Sequence, residues 1–282
     1  MATRSYPIVD AHVHCFAGRV DPRFPYHPDA PYRPERPATP EHLLVCMDEA
    51  DVDLAVIAHP EPYQDDHRYL DYCLNVGEGR LLATCLFFAD HPGSLERMSE
   101  LVKLHPGKIV AARIHAYAPE RLPPFGSPEL RAFWKHAGDL GLAIQIHIEP
   151  RYAPGFEPMI REFPETTVIV DHLGRPMQGG LKEYAVVLGW GSLPNVVVKL
   201  SAIPDREQYP HRDPAPFVRQ LLDRFGPDRL IFGGDFGPES TGDSYRAARE
   251  RVRPYLASLS TEDHAKIFGG TAARLLGLFK GR

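Results

Sequence analysis

No stretch of the chain approaches about 18 uninterrupted apolar residues, the length a membrane-spanning helix requires. No apolar run precedes the first histidines in MATRSYPIVDAHVH, so no secretory leader is expected. Cysteine is scarce. The four thiols, Cys15, Cys46, Cys73 and Cys85, form no CxxC pair, which removes the usual redox and zinc-ribbon spacings. They read as buried free thiols in a reducing cytoplasm. No β-branched run is followed by GxGxxG or a phosphate loop, so a nucleotide-binding open sheet lacks its signature. Positive charge is not in excess. Lys and Arg number 32 against 37 Asp and Glu, a formal charge of −5, so neither nucleic acid nor an anionic membrane is expected as a partner.

What is present is an ordinary globular composition, 43% hydrophobic and 24% charged over 282 residues, with 29 prolines and 14 histidines as the unusual entries. Eight short β-branched runs recur: YPIVDAHVH, DLAVIAHP, LLATCLFFAD, KIVAARIHAY, LAIQIHIEP, TVIVDHLG, NVVVKLSA and RLIFGGDF. Most gaps between them carry apolar residues at helical spacing. One such segment opens at Thr39-Pro40 as an N-cap, and a last one, TEDHAKIFGGTAARLLGLF, is expected to bend at Gly269-Gly270. Strand–helix alternation repeated eight times predicts an α/β fold, a (β/α)8 TIM-like barrel forming a single domain over residues 1–282. The runs end at His14, His59, Asp90, His115, His147, His172, Ser201 and Asp235. In such a barrel these ends converge on one face, so a ring of titratable groups is expected there.

The longest irregular stretch follows the first run. Prolines at 22, 25, 28, 31, 34 and 37 suggest a solvated polyproline-like linker by spacing alone. Its position just beyond His14, and its Phe24, Tyr26 and Tyr32, favour an ordered loop at 15–38 covering the site.

His12 and His14 are the sharpest signal. Residues i and i+2 of a strand face the same side, so two imidazoles can reach one ion. His147 ends the fifth run and Asp235 the eighth, which neighbours the first in a closed barrel. Three imidazoles and a carboxylate suit one divalent ion, Zn²⁺ or Mn²⁺, with a water as nucleophile. His172 can be a further ligand or a general acid/base, and the second role is preferred. A lone histidine at a strand end is usually a satisfied polar residue; five such groups at equivalent ends are not readily explained that way.

These residues carry a resemblance. From VDAHVH through GGDF to TAARLLGL, the chain resembles the amidohydrolase superfamily, in the branch called amidohydrolase family 2, the TIM-barrel metal-dependent hydrolases, which include lactonases and decarboxylases. The resemblance implies metal ligation by His12, His14, His147 and Asp235, with His172 polarising water or substrate. The eighth-strand motif of that family usually reads G-[ST]-D-[FW]-P, whereas this chain has Gly233-Gly234-Asp235-Phe236-Gly237. Binuclear members carry a fourth-strand lysine. Here that strand has Arg113 and His115 instead, implying a mononuclear site. Some lactonases of the branch use the eighth-strand aspartate on free water without a metal, so metal-independent activity stays open.

Arg113 and His115 share one strand face, as do Lys199 and Ser201. Arg113 and Lys199 can hold a substrate anion, or form an internal ion pair with Asp10 or Glu149. Tyr63, in HPEPYQDDHRYL, lies in a segment resembling that of the sugar-lactonase and dicarboxylate-lactonase branch. The expected function is hydrolysis of a lactone or related ester of a small carboxylated or sugar-derived compound, with Asp235 as base. Non-oxidative decarboxylation of an aromatic or vinylogous acid is the alternative. A non-catalytic metal- or ligand-binding barrel is a third reading. The expected partner is a small molecule, and a homodimer is compatible with the sequence.

Overall fold

The computed structural model of the protein describes residues 6–19, 21–204, 213–234 and 236–277. All eight expected strands are present: β1 (Val9–Val13), β2 (Leu54–Ile57), β3 (Leu81–Leu86), β4 (Ile109–Ala116), β5 (Ala143–Ile148), β6 (Val168–Val170), β7 (Val196–Leu200) and β8 (Leu230–Phe232). They lie in chain order, and each successive pair from β1–β2 to β7–β8 is parallel. β8 returns against β1, where the Gly234 amide donates to Asp10 Oδ1 at 2.7 Å and nearly closes the cylinder. The helices between them are α1 (Pro40–Glu49), α2 (Arg68–Val76), α3 (Ser94–Leu104), α4 (Pro128–Asp139), α5 (Ala153–Glu162), α6 (Leu181–Gly189) and α7 (Ala215–Phe225). After β8 come α8 (Gly242–Glu250), α9 (Thr261–Ala265) and α10 (Thr271–Leu275). Eight parallel strands with alternating helices make the expected TIM-like barrel.

Local chemistry explains the boundaries. The Thr39 hydroxyl accepts the His42 amide and starts α1, as its sequence suggested, and Thr241 with Ser244 forms a reciprocal cap on α8. The C-terminal segment bends where expected, through a π-helical turn at Lys266–Gly270 between α9 and α10. Gly269 is required there, because a Cβ would lie 1.8 Å from the Pro7 carbonyl oxygen.

The strand pleat sorts the barrel interior into two levels. Val9, Ala11, Ala111, Ala143, Ile169, Val197 and Ile231 pack together at the lower level, with Ala272 beneath them. Two residues further along their strands, Arg113, Gln145, Asp171 and Lys199 occupy the same inward face at the C-terminal level. β1 departs from strict alternation. Its register against β2 shifts between Asp10 and Val13. Asp10 accepts from Tyr245 Oη of α8 at 2.6 Å, whereas His12 faces Lys199.

The proline-rich segment is tied down at several points, although much of it is exposed to solvent. Phe16 and Ala38 exchange two backbone hydrogen bonds of 2.8 and 2.9 Å. The His27 amide donates to the Pro62 carbonyl, Tyr26 Oη donates to the Pro34 carbonyl, and the Ala17 amide donates to Tyr63 Oη. One strand-end expectation is corrected. β3 stops at Leu86, so Asp90 lies four residues beyond it, solvent-exposed, and is not part of the interior ring.

Candidate active site

The C-terminal mouth gathers four of the predicted imidazoles. The His12 and His14 rings meet edge to face with centroids 4.9 Å apart, and His172 lies 4.4 Å from His12. His147 sits 5.4 Å from His172 and 5.5 Å from His115. Asp235, expected as ligand and base, lies outside the described residues.

Their hydrogen bonds set which nitrogens are available. His14 Nδ1 is 2.7 Å from the Ala58 carbonyl, so that nitrogen carries the proton and Nε2 keeps its lone pair. That Nε2 lies 3.3 Å from His12 Nε2. On its other side, His12 Nδ1 is 3.3 Å from Lys199 Nζ and 3.4 Å from Asp171 Oδ1. His172 Nδ1 is 2.9 Å from Ser201 Oγ, which also accepts the His172 amide. His172 and Leu173 both adopt left-handed backbone conformations (φ 54° and 59°), a strained geometry of the sort that persists where surrounding contacts impose it.

Asp171 is the residue that sequence reasoning missed. It is fully buried, and it joins the two interior cations. Arg113 Nε and Nη2 donate to its Oδ2 at 3.3 and 3.1 Å, Gln145 Nε2 donates to the same oxygen at 3.0 Å, and Lys199 Nζ lies 3.2 Å from Oδ1. The internal ion-pair reading of Arg113 and Lys199 therefore has a different partner from the two anticipated. Asp10 is taken up by Gly234 and Tyr245, and Glu149 by Arg151.

Burial dominates the electrostatics. It holds His12 and His147 well below the ordinary imidazole range, and lowers His14 to about 3, with the Arg113 charge adding to the effect. His172 falls to about 4, chiefly by burial, against the pull of Asp171. Burial alone would raise Asp171, but Lys199, His12 and Arg113 outweigh it and keep the carboxylate ionised. Lys199 is lowered to about 8 by burial, despite Asp171. Neutral imidazoles beside a fixed carboxylate are the state a divalent cation requires of its ligands.

Among the described residues, His12, Asp171 and His172 each offer a ligand atom within 4.8 Å of the others. The facing His12 and His14 Nε2 atoms are suited to one borderline divalent ion, whereas Asp171 lies at the opposite edge of the His12 ring, 3.4 Å from Nδ1. His147 is placed differently. Its Nδ1 lies 3.4 Å from Arg113 Nη2, a donor, so in the neutral ring the proton resides on Nε2.

The remaining predicted residues divide. His115 is buried next to His147, and its Nδ1 is 3.8 Å from Glu61 Oε1. Tyr63 is also buried, and it anchors the proline-rich segment through Ala17 rather than facing the imidazoles. Beyond His115 opens a cavity of about 320 Å³ between the loops that follow β2, β3 and β4. Glu61, a second residue not anticipated, lies in its wall and accepts from Tyr117 Oη at 2.8 Å.

Comparison with known proteins bears on the family and the fold. The family model described as Amidohydrolase matches residues 9–278. An L-fucono-1,5-lactonase of Burkholderia ambifaria is 31% identical over 119 residues, 40% of this chain and 39% of that protein. A 2-pyrone-4,6-dicarboxylate hydrolase of Comamonas testosteroni is 29% identical over 81% of this chain and 76% of its own. The match to the lactonase thus spans well under two thirds of its length. Among solved structures, one assigned as a 2-pyrone-4,6-dicarboxylic acid hydrolase, from Acinetobacter baumannii with citric acid bound, superposes with a TM-score of 0.80 at 18% identity, covering 96% of this chain and 99% of that one. An amidohydrolase of Burkholderia multivorans with bound zinc gives 0.73 at 19%, covering 97% and 100%. A 5-carboxyvanillate decarboxylase of Novosphingobium aromaticivorans with bound manganese gives 0.61 at 13%, covering 97% of each. At these identities the structural matches establish the fold.

Proposed function

The chain belongs to the amidohydrolase family, and from that premise we propose that it is a hydrolase of a lactone or related ester of a small, oxygen-rich compound. The observation that carries this reading is the pair of imidazole nitrogens, His12 Nε2 and His14 Nε2, 3.3 Å apart, with the neutral His172 ring next to His12 and the ionised Asp171 at its Nδ1. Relatives named as lactone hydrolases support it.

In this reading His12 and His14 hold one divalent ion, with His172 nearby and Asp235 as the further proposed ligand; His147 joins them only with its Nε2 proton moved away, which the Arg113 contact at Nδ1 opposes. Zinc is the preferred ion and manganese the second. When bound, such an ion polarises a carbonyl and brings the pKa of water towards about 7.

The chain's own groups supply the rest. Asp235 takes a proton from water as the water oxygen adds to the lactone carbonyl carbon. Ser201 Oγ accepts the His172 amide and can give its own proton to His172 Nδ1. That leaves the imidazole proton on Nε2, where it stabilises the developing oxyanion. The carbon–oxygen bond of the ring then breaks, Asp235 returns the proton to the leaving oxygen, and a hydroxy acid is released. Arg113 and Lys199 fix Asp171, which lies 3.4 Å from His12 Nδ1 and so holds that ring in position, and His115 contacts the substrate body. Tyr63 holds the proline-rich segment at 15–38 as a cover that excludes bulk water.

The alternative, decarboxylation, needs a cation free to bind the departing carboxylate group, and Arg113 is committed to Asp171. A panel of lactones and aromatic acids, followed by proton release and by CO₂ release in parallel, separates the two. Proton release from at least one lactone is expected. CO₂ release from an acid, with every lactone inert, would overturn the reading.

A further inference from the structure

A histidine that holds a metal has a second signature besides the nitrogen that meets the ion. Its other ring nitrogen donates a proton to a carbonyl or carboxylate, which fixes the tautomer and raises the basicity of the free nitrogen. His14 has this arrangement, with Nδ1 2.7 Å from the Ala58 carbonyl. His12 Nδ1 has the Asp171 carboxylate at 3.4 Å, with Lys199 Nζ beside it at 3.3 Å.

His147 has the reverse. At its Nδ1 stands the Arg113 guanidinium, with Nη2 at 3.4 Å. A guanidinium carries only donors, no acceptor and a permanent charge. It is also unable to withdraw. Its Nε and Nη2 are tied to Asp171 Oδ2 at 3.3 and 3.1 Å, and its Nη1 donates to the His59 carbonyl at 3.4 Å. Arg113, Asp171 and His59 are all buried. An ion on His147 Nε2 would require the ring proton on Nδ1, where N–H would point at N–H. An ion on Nδ1 would compete with the guanidinium for one lone pair.

Packing holds the ring as it is. Tyr117 lies 5.2 Å from it, centroid to centroid, tilted by 30°, and the Tyr117 hydroxyl donates to Glu61 at 2.8 Å. His115 and His172 meet it edge-on at 5.5 and 5.4 Å. His147 is half-buried at the mouth, and its Nε2 has no hydrogen-bond partner among the described residues.

We propose that His147 is a fixed hydrogen-bond donor rather than a ligand of the ion, with Nδ1 engaged by Arg113 and Nε2–H presented to an oxygen of the substrate. This removes His147 from the ligand set that the family resemblance implied, and gives Arg113 a second task, setting the His147 tautomer. The substrate contact rests on the hydrolase reading, whereas the tautomer and the ligand set do not.

The test uses the intact protein with zinc alone as the probe. Proton–nitrogen NMR on isotope-labelled histidine reads each ring's tautomer, and the signal missing from His147→Gln or His147→Asn identifies His147. That signal is expected to report the proton on Nε2 and to keep it there when zinc is added. By calorimetry, His147→Leu is expected to bind zinc within about threefold of wild type, whereas His14→Asn weakens it by at least about 100-fold, beyond what loss of an outer partner alone costs. Should the leucine variant not fold, the wild-type NMR reading decides. A proton on Nδ1, or zinc affinity lost as heavily in His147→Leu as in His14→Asn, would overturn the proposal. Lactone turnover tests the donor role. His147→Leu is expected to lower kcat/KM at least about tenfold, with His147→Gln, whose amide N–H replaces Nε2–H, within about threefold of wild type. Equal turnover by wild type and the leucine variant would overturn that role. A protein that hydrolyses no lactone would instead refute the hydrolase reading, and the tautomer and zinc affinities would still decide whether His147 is a ligand.

Discussion

Arg113 grips Asp171 with two nitrogens, Nε at 3.3 Å and Nη2 at 3.1 Å, on one carboxylate oxygen, while Lys199 approaches the other oxygen at 3.2 Å. All three side chains are buried. The carboxylate is the counter-charge for both cations, and removing it leaves them uncompensated in a dry interior. Asp171→Asn is therefore expected to destabilise the fold by about 3–5 kcal/mol, the cost of breaking a buried pair from one side. Urea unfolding of the variant against wild type checks it; a loss below about 1 kcal/mol would show that the cations find another partner.

Acid sensitivity should come in part from outside the site. His67 stacks on His59 with ring centroids 4.4 Å apart, and its Nε2 accepts the Leu86 amide at 3.1 Å. Burial lowers its pKa to about 3 from the ordinary 6.5. The folded value lies below the unfolded one, so the unfolded chain binds the proton first. The stability that neutral His67 contributes is complete above pH 6.5 and is lost as pH falls from 6.5 towards 3. The expected slope is up to about 1.4 kcal/mol per pH unit for this one group. His67→Gln, measured by urea unfolding at pH 7 and 4.5, should show a smaller loss than wild type. Equal losses in both proteins would remove His67 from the account.

Metal binding should be visible as stability. An ion that binds only the folded chain at one hundred times its dissociation constant adds about 2.7 kcal/mol. Zinc or manganese is therefore expected to raise the melting temperature of chelator-treated protein, and His14→Asn should abolish the rise. A melting temperature indifferent to either ion would favour the metal-independent reading.

Much of this was legible in the residues. The barrel followed from eight β-branched runs separated by helical spacing, because repeated strand–helix units leave few closed topologies. His12, His14, His147 and His172 came together because strand ends of a barrel share one mouth. Asp171 was overlooked beside the more conspicuous His172, although the period of two from Ile169 already pointed its side chain inward. The partner of Arg113 was misassigned for a related reason: the β1 register shift turns Asp10 towards Tyr245 on α8, and no alternation pattern reveals such a shift. Glu61 gave no periodic signal at all. It is buried because a short 3-10 turn, Glu61–Tyr63, folds it inward after β2. Gly234, where the family usually has Ser or Thr, became intelligible only from the packing, since a Cβ there would lie 2.2 Å from Asp10 Oδ2.

The central claim is that water is activated at this mouth to open an ester, with Asp235 as its base. The most direct test is proton release from the best lactone substrate, comparing wild type with Asp235→Asn at equal metal loading. A fall in kcat of at least about 100-fold is expected, the lower end of what a positioned general base contributes. A variant that turns over the lactone at the wild-type rate would contradict the account.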